Sequence, residues 1–160
     1  KKDGEFYKLL YFSHESNSFP FFVGAKIDAA ITLSINEWKG QKSPSLVIKD
    51  IRLSGINEEE YISQLDLYDR FKEHKITRQE AADICPTQEC GRVFKAVLKA
   101  TPKEQIINKI TDLPLAKINV AVDALKEIGV LHENEGLLSV TGVSSSLENS
   151  AILNNLKGGM

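Results

Sequence analysis

The feature that most constrains this chain is a change of hydrophobic period near residue 56. Ile27, Ala29, Ile31, Leu33 and Ile35 alternate with Asp28, Ala30, Thr32 and Ser34, the period-2 pattern of a half-buried strand. Residues 36–44 read as a polar turn, with Asn36, Gly40 and Pro44 as turn formers, Lys39 and Lys42, and the only tryptophan, Trp38. A second strand over residues 46–53 changes phase. Leu46 and Ile48 share one face and Ile51 and Leu53 share one, which implies a bulge near Lys49 and Asp50 of the kind that bends strands in small barrels.

Upstream, residues 5–12 also alternate and predict a strand, followed by a Ser/Asn-rich turn at 13–18. Residues 1–53 do not fill a closed five-stranded barrel. Either a strand lies upstream or the barrel is open, and an open edge recruits another strand. The expectation is pairing with a second chain, hence a dimer through the sheet edge, or disorder near the start.

From Asn57 the period becomes helical. Asn57 caps a helix whose first turn carries Glu58, Glu59 and Glu60, with Ile62, Leu65, Tyr68 and Phe71 as its buried stripe. Thr77 and Glu80 form a capping box for a short helix ending near Ile84, and Pro86 opens another running to Lys99. Thr101 and Glu104 spell a second capping box. Pro114 starts the last long helix, buried through Leu115, Ile118, Val122, Leu125 and Ile128 and stopped by Gly129. A hairpin over residues 130–140 follows. The fold class predicted is α+β: a partial OB-fold β-barrel at 1–55, a helical, winged-helix-like domain at 56–141, and a mostly irregular tail at 142–160 whose one candidate element is a loose helix over Leu147 to Leu156.

Composition narrows the function. At 160 residues, 42% hydrophobic and 26% charged, the chain is an ordinary globular protein without an apolar run long enough to span a bilayer, so a cytoplasmic location is expected. Cys85 and Cys90 have no second pair with which to complete a four-ligand zinc site. His14, His74 and His132 stand apart from one another, and no cofactor is expected in this chain. The net charge of −2 is uneven: residues 1–56 hold eight Lys and Arg against six Asp and Glu, and both later segments are negative. Any nucleic-acid contact must therefore be local, in the first third. Lys8, Lys26, Lys39, Lys42, Lys49 and Arg52, with Trp38 among them, suit single-stranded DNA, whose phosphates need cations and whose bases need a flat face. The competing reading of Trp38 is a hydrophobic plug at a barrel edge.

The segment from Ile35 to Gly40, Asn-Glu-Trp-Lys-Gly after the isoleucine, followed by Leu46-Val47-Ile48-Lys49-Asp50-Ile51-Arg52, resembles the OB-fold segment of bacterial RecJ, the single-strand-specific 5′→3′ exonuclease family. The similarity continues through Leu67-Tyr68-Asp69-Arg70-Phe71, then Cys85-Pro86-Thr87 leading into Val93-Phe94-Lys95-Ala96-Val97-Leu98, the run from Ala124 to Leu131, and Leu147-Glu148-Asn149-Ser150. It covers most of the chain from about Phe12; the OB segment is its specific part, and the helical motifs gain weight from their order. The resemblance implies a part in DNA repair and recombination. It also implies that the catalytic, manganese- or magnesium-dependent domains with their Asp-His-His triplet are absent here, so no nuclease activity is expected.

On the helix after Pro86, Arg92, Lys95 and Lys99 share one side at helical spacing. They form either a solvated face or a docking site for an acidic peptide. The resemblance implies the acidic, hydrophobic-ended C-terminal tail of single-strand-binding protein as that peptide. Two other readings compete: a protein-interaction module without DNA affinity, and a winged-helix regulator reading duplex DNA. Against the second, the exposed face expected for the last long helix mixes Lys117, Asn119 and Lys126 with Asp123 and Glu127.

Overall fold

The computed structural model describes residues 4–12, 19–97 and 100–158. A long hairpin comes first: β1 (Ile27–Trp38) and β2 (Gln41–Leu53). The helices α1 (Glu58–Lys72), α2 (Arg78–Ile84) and α3 (Cys90–Ala96) follow. Then come the short β3 (Thr101–Pro102), α4 (Lys103–Lys109), α5 (Leu115–Glu127), β4 (Leu131–Asn134), β5 (Leu137–Val140) and α6 (Ala151–Gly158). The described strands form two antiparallel sheets, β1-β2 and β3-β5-β4. The class is α+β, as the switch of period implied.

The first hairpin is longer than its sequence suggests. Pairing continues through the supposed polar linker, with Ile35 opposite Pro44 and Trp38 opposite Gln41. Only Lys39 and Gly40 turn the chain, at φ 51° and 78°, the doubly positive geometry whose twist matches the strands it joins. Asn36, Ser43 and Pro44 act as strand residues because a solvated ribbon tolerates polar side chains, and Pro44 needs no ladder donor near an edge. The bulge lies where the phase change put it. Ala30 faces Asp50 and Ile31 faces Ile48, leaving Lys49 as the extra residue.

Residues 5–12 do not make the expected strand. Leu10 forms an isolated parallel bridge to Val47, its N–H donating to the Leu46 carbonyl and its carbonyl accepting from Ile48 N–H, both at 2.8 Å. The turn expected at 13–18 lies outside the described residues. Among the described residues there is no closed barrel.

Helix ends follow local chemistry where that chemistry is unopposed. The Asn57 side chain accepts from Glu60 N–H, and the Thr77–Glu80 capping box is complete in both directions. The second expected box is not formed. Pro102 takes the cap position without a side-chain bond, and Thr101 and Pro102 pair instead with Leu138 and Leu137. Burial of Thr101 against that strand outweighs one capping bond. Gly129, at φ 74°, ends α5; its N–H donates to Lys126 and that of Val130 to Leu125, a Schellman closure. α3 is shorter than expected at both ends, and Leu98 and Lys99 lie outside the described residues.

Two apolar clusters share α5. One gathers Val93, Ile106, Ile118, Val122, Leu138 and Leu153; the other gathers Phe71, Ala81, Ile84, Ala116, Val120 and Leu156. The expected stripe of α1 is only partly inside: Phe71 is buried, Tyr68 half-buried, and Ile62 is 66% exposed. The stretch 142–160, expected to be mostly irregular with a loose helix over 147–156, carries a 3₁₀ turn at Leu147–Asn149 and then α6, which is packed rather than loose and sends Leu153 to one cluster and Leu156 to the other. Buried Ser150 caps α6, accepting from Leu153 N–H and donating to Glu127. The capping bond is local, but the bond to Glu127 that holds this helix start against α5 reaches across 23 residues, which is why its packing was not legible locally.

The surface of α5 differs from expectation too. Asn119, expected outside, is buried. Lys117 pairs with Glu89 at 3.4 Å, and Asp123 accepts from the Tyr68 hydroxyl at 2.7 Å and pairs with Lys72 at 3.5 Å. Lys126 pairs with Glu133. Burial, then the bond to Asp123, push the Tyr68 phenol well above its ordinary range.

Candidate nucleic-acid interface

The β1–β2 ribbon has two unlike faces, fixed by its register. One carries Ala29 opposite Ile51, Ile31 opposite Ile48, Leu33 opposite Leu46 and Ile35 opposite Pro44. The other carries Asp28 opposite Arg52, Ser34 opposite Ser45, Asn36 opposite Ser43 and Trp38 opposite Gln41. The apolar face was expected to be half-buried. It is open instead: Leu33 is 66% and Ile35 71% exposed, and only Ile48 is fully covered.

Trp38 stands on the polar face at the turn, 75% exposed. An indole plugging a barrel would belong to the apolar row; this one does not. Beside it, Lys39 occupies the turn and has no ion-pair partner among the described residues.

The remaining cations are dispersed. Lys42 points from the apolar side of the tip and pairs with Glu37 at 3.9 Å. Arg52, at the base, is held by Asp28 at 3.7 Å and by Glu58, so little of its charge is available to a phosphate. Lys49 is the bulge residue, exposed midway along the ribbon. Lys26 is exposed just before β1, and Lys8 is exposed two residues before the Leu10 bridge. A dozen strand residues separate tip from base, roughly 35–40 Å at strand rise. The sequence grouped these residues; the ribbon divides them into a tip with Trp38, Lys39 and Lys42 and a base with Lys26 and Arg52.

The second candidate set is thinned as well. Arg92 donates to Asp112 at 2.7 Å, a contact that raises the guanidinium's affinity for its proton and lowers the carboxyl's. Lys95 is exposed, and Lys99 lies outside the described residues. α3 also borders a shallow apolar groove of about 280 Å³, walled by Gly91, Phe94, Leu125, Val143 and Leu147, and Lys95 is not among the residues that line it. Sequence reading missed this groove, because Val143 and Leu147 come from the stretch it took as tail.

Among the described residues no three His, Cys, Asp or Glu side chains gather as metal ligands. Cys90 is buried in the α3 turn, and burial pushes its thiol up to about 11. Among the described residues no helix is long and apolar enough to cross a membrane. No protein-family model, curated protein or solved structure matches this chain.

Proposed function

We propose that this chain is a noncatalytic, DNA-handling part of a RecJ-like exonuclease, holding single-stranded DNA on the polar face of the β1–β2 ribbon. The observation that carries this reading is Trp38, exposed on the polar face beside Lys39, which has no ion-pair partner among the described residues. A base stacked on such an aromatic contributes about 1–3 kcal/mol, and a neighbouring cation makes the affinity salt-dependent. The finer fold reading, a partial OB-fold, fits a bulged, twisted ribbon with one apolar face turned away from the ligand. That open face also supports association with a second chain. The test is fluorescence anisotropy with a labelled oligothymidylate. Trp38→Ala with Lys39→Glu should weaken binding at least tenfold, and binding unchanged by the pair would overturn the reading.

The body supports a second role, as a docking module. Its order α3, β3, α4, α5, β4, β5, with the sheet ordered β3-β5-β4, fits a winged-helix-like arrangement. Duplex reading through α5 lacks support, because Asn119 is buried and the charged side chains Lys117, Asp123, Lys126 and Glu127 are engaged by Glu89, by Tyr68 and Lys72, by Glu133 and by Ser150. The apolar groove bordered by α3, the helix that also carries Lys95, suits the bulky apolar end of a peptide such as the tail of single-strand-binding protein. Titrating that tail peptide separates the roles. Phe94→Glu should remove peptide binding and leave oligonucleotide binding intact.

A further inference from the structure

A further cavity belongs to neither surface. It is a cleft of about 490 Å³ where the ribbon base meets the helical body, walled by the end of β2 and the turn after it, the first two turns of α1, and the segment joining α4 to α5. That volume falls in the range of sites that hold a drug-sized ligand. Its floor is apolar, with Leu53, Ile107 and Leu115, and its rim offers Ile56 and Tyr61, 37% and 39% exposed. Its charge is one-sided. Among the described residues no lysine or arginine lines it, whereas two carboxylates do, Glu60 and Asp112. Asp112 is engaged by Arg92, but Glu60 has no ion-pair partner among the described residues.

We propose that this cleft docks a segment of a partner protein in which a lysine or arginine lies between bulky apolar residues. The apolar side chains fill the floor against Leu53 and Leu115, and the cation meets Glu60. A nucleic-acid strand is the wrong chemistry for this cleft, since its phosphates would face carboxylates with no cation in the wall. The inference therefore stands apart from the DNA reading of the ribbon. The molecule would then hold an anionic polymer at one end of the ribbon and a cationic peptide at the other.

The test uses the whole chain, ¹⁵N-labelled, titrated with the capped pentapeptide Leu-Lys-Phe-Arg-Leu and, as control, Leu-Glu-Phe-Asp-Leu. The basic peptide should shift amides of Gly55, Tyr61 and Thr111 and leave Trp38 unmoved; the acidic one should shift none of the three. Glu60→Lys should weaken the basic peptide at least tenfold at unchanged thermal midpoint and unchanged oligonucleotide affinity. Thr111→Arg, which brings a cation of the chain's own to the rim, should weaken it too, and provides the check if Glu60→Lys perturbs α1. Equal response to both peptides, indifference to both substitutions, or oligonucleotide-induced shifts at Gly55 and Tyr61 would overturn the proposal.

Discussion

Glu80 shows how much one side chain can be asked to do. Its carboxylate takes Arg70 at 2.7 Å and the Thr77 N–H at 2.8 Å, tying the start of α2 to α1, and its pKa is lowered to about 2, chiefly by the arginine bond. Because the folded value lies below the ordinary 4.5, the stabilisation is fully present above pH 4.5 and is lost as pH falls through about 2. Glu80→Gln should therefore differ from the parent in urea midpoint at pH 6, and the gap should close by pH 2. A gap that stays constant across that window would mean the bond contributes nothing specific to the ionised form. Cys90 gives a second residue-level expectation. A buried thiol pushed up to about 11 is a poor nucleophile at pH 8. Iodoacetamide should label half-buried Cys85 first and reach Cys90 only as fast as the chain opens, a difference that 8 M urea should abolish.

Legibility was uneven at the level of elements. Caps at Asn57, Thr77 and Gly129 were readable because each bond is made within a few residues of the cap itself. The bulge at Lys49 was readable because a phase shift in a period-2 pattern has few other causes. Thr101–Pro102 was not, since its partner strand lies more than thirty residues on and sequence offers only the competing cap signal. Helix α6 was legible only as a loose helix over 147–156; its packing was not, because it depends on Ser150 reaching Glu127 of a distant helix. The same blindness affected the sites. Trp38 and Lys39 are neighbours in sequence and remain so in space, whereas Glu60 and Asp112 meet at one cleft only through the fold. For α6 the expected consequence is measurable. Leu153 is fully buried, and Leu153→Ala should cost about 2–5 kcal/mol in urea denaturation. A loss below about 0.5 kcal/mol would show that α6 does not belong to the core in solution.

At the scale of the molecule, the body and the ribbon are built on different terms. The body closes two cores around α5, while the ribbon leaves Ile31, Leu33 and Ile35 exposed on its apolar face and covers only Ile48 fully. Contiguous apolar surface of that kind drives association. Sedimentation velocity should show the parent chain self-associating as concentration rises, and Leu33→Lys with Ile35→Lys should hold it monomeric without changing its thermal midpoint. A parent that stays monomeric throughout would remove the case for a second chain at this face.

The two leucines of α6 carry a consequence for biosynthesis. A ribosome adds Leu153 and Leu156 after every other member of the clusters they complete. Neither core can close while α6 is still inside the exit tunnel, so the nascent body must wait, with Val120 and Leu138 uncovered, as a natural client for chaperones.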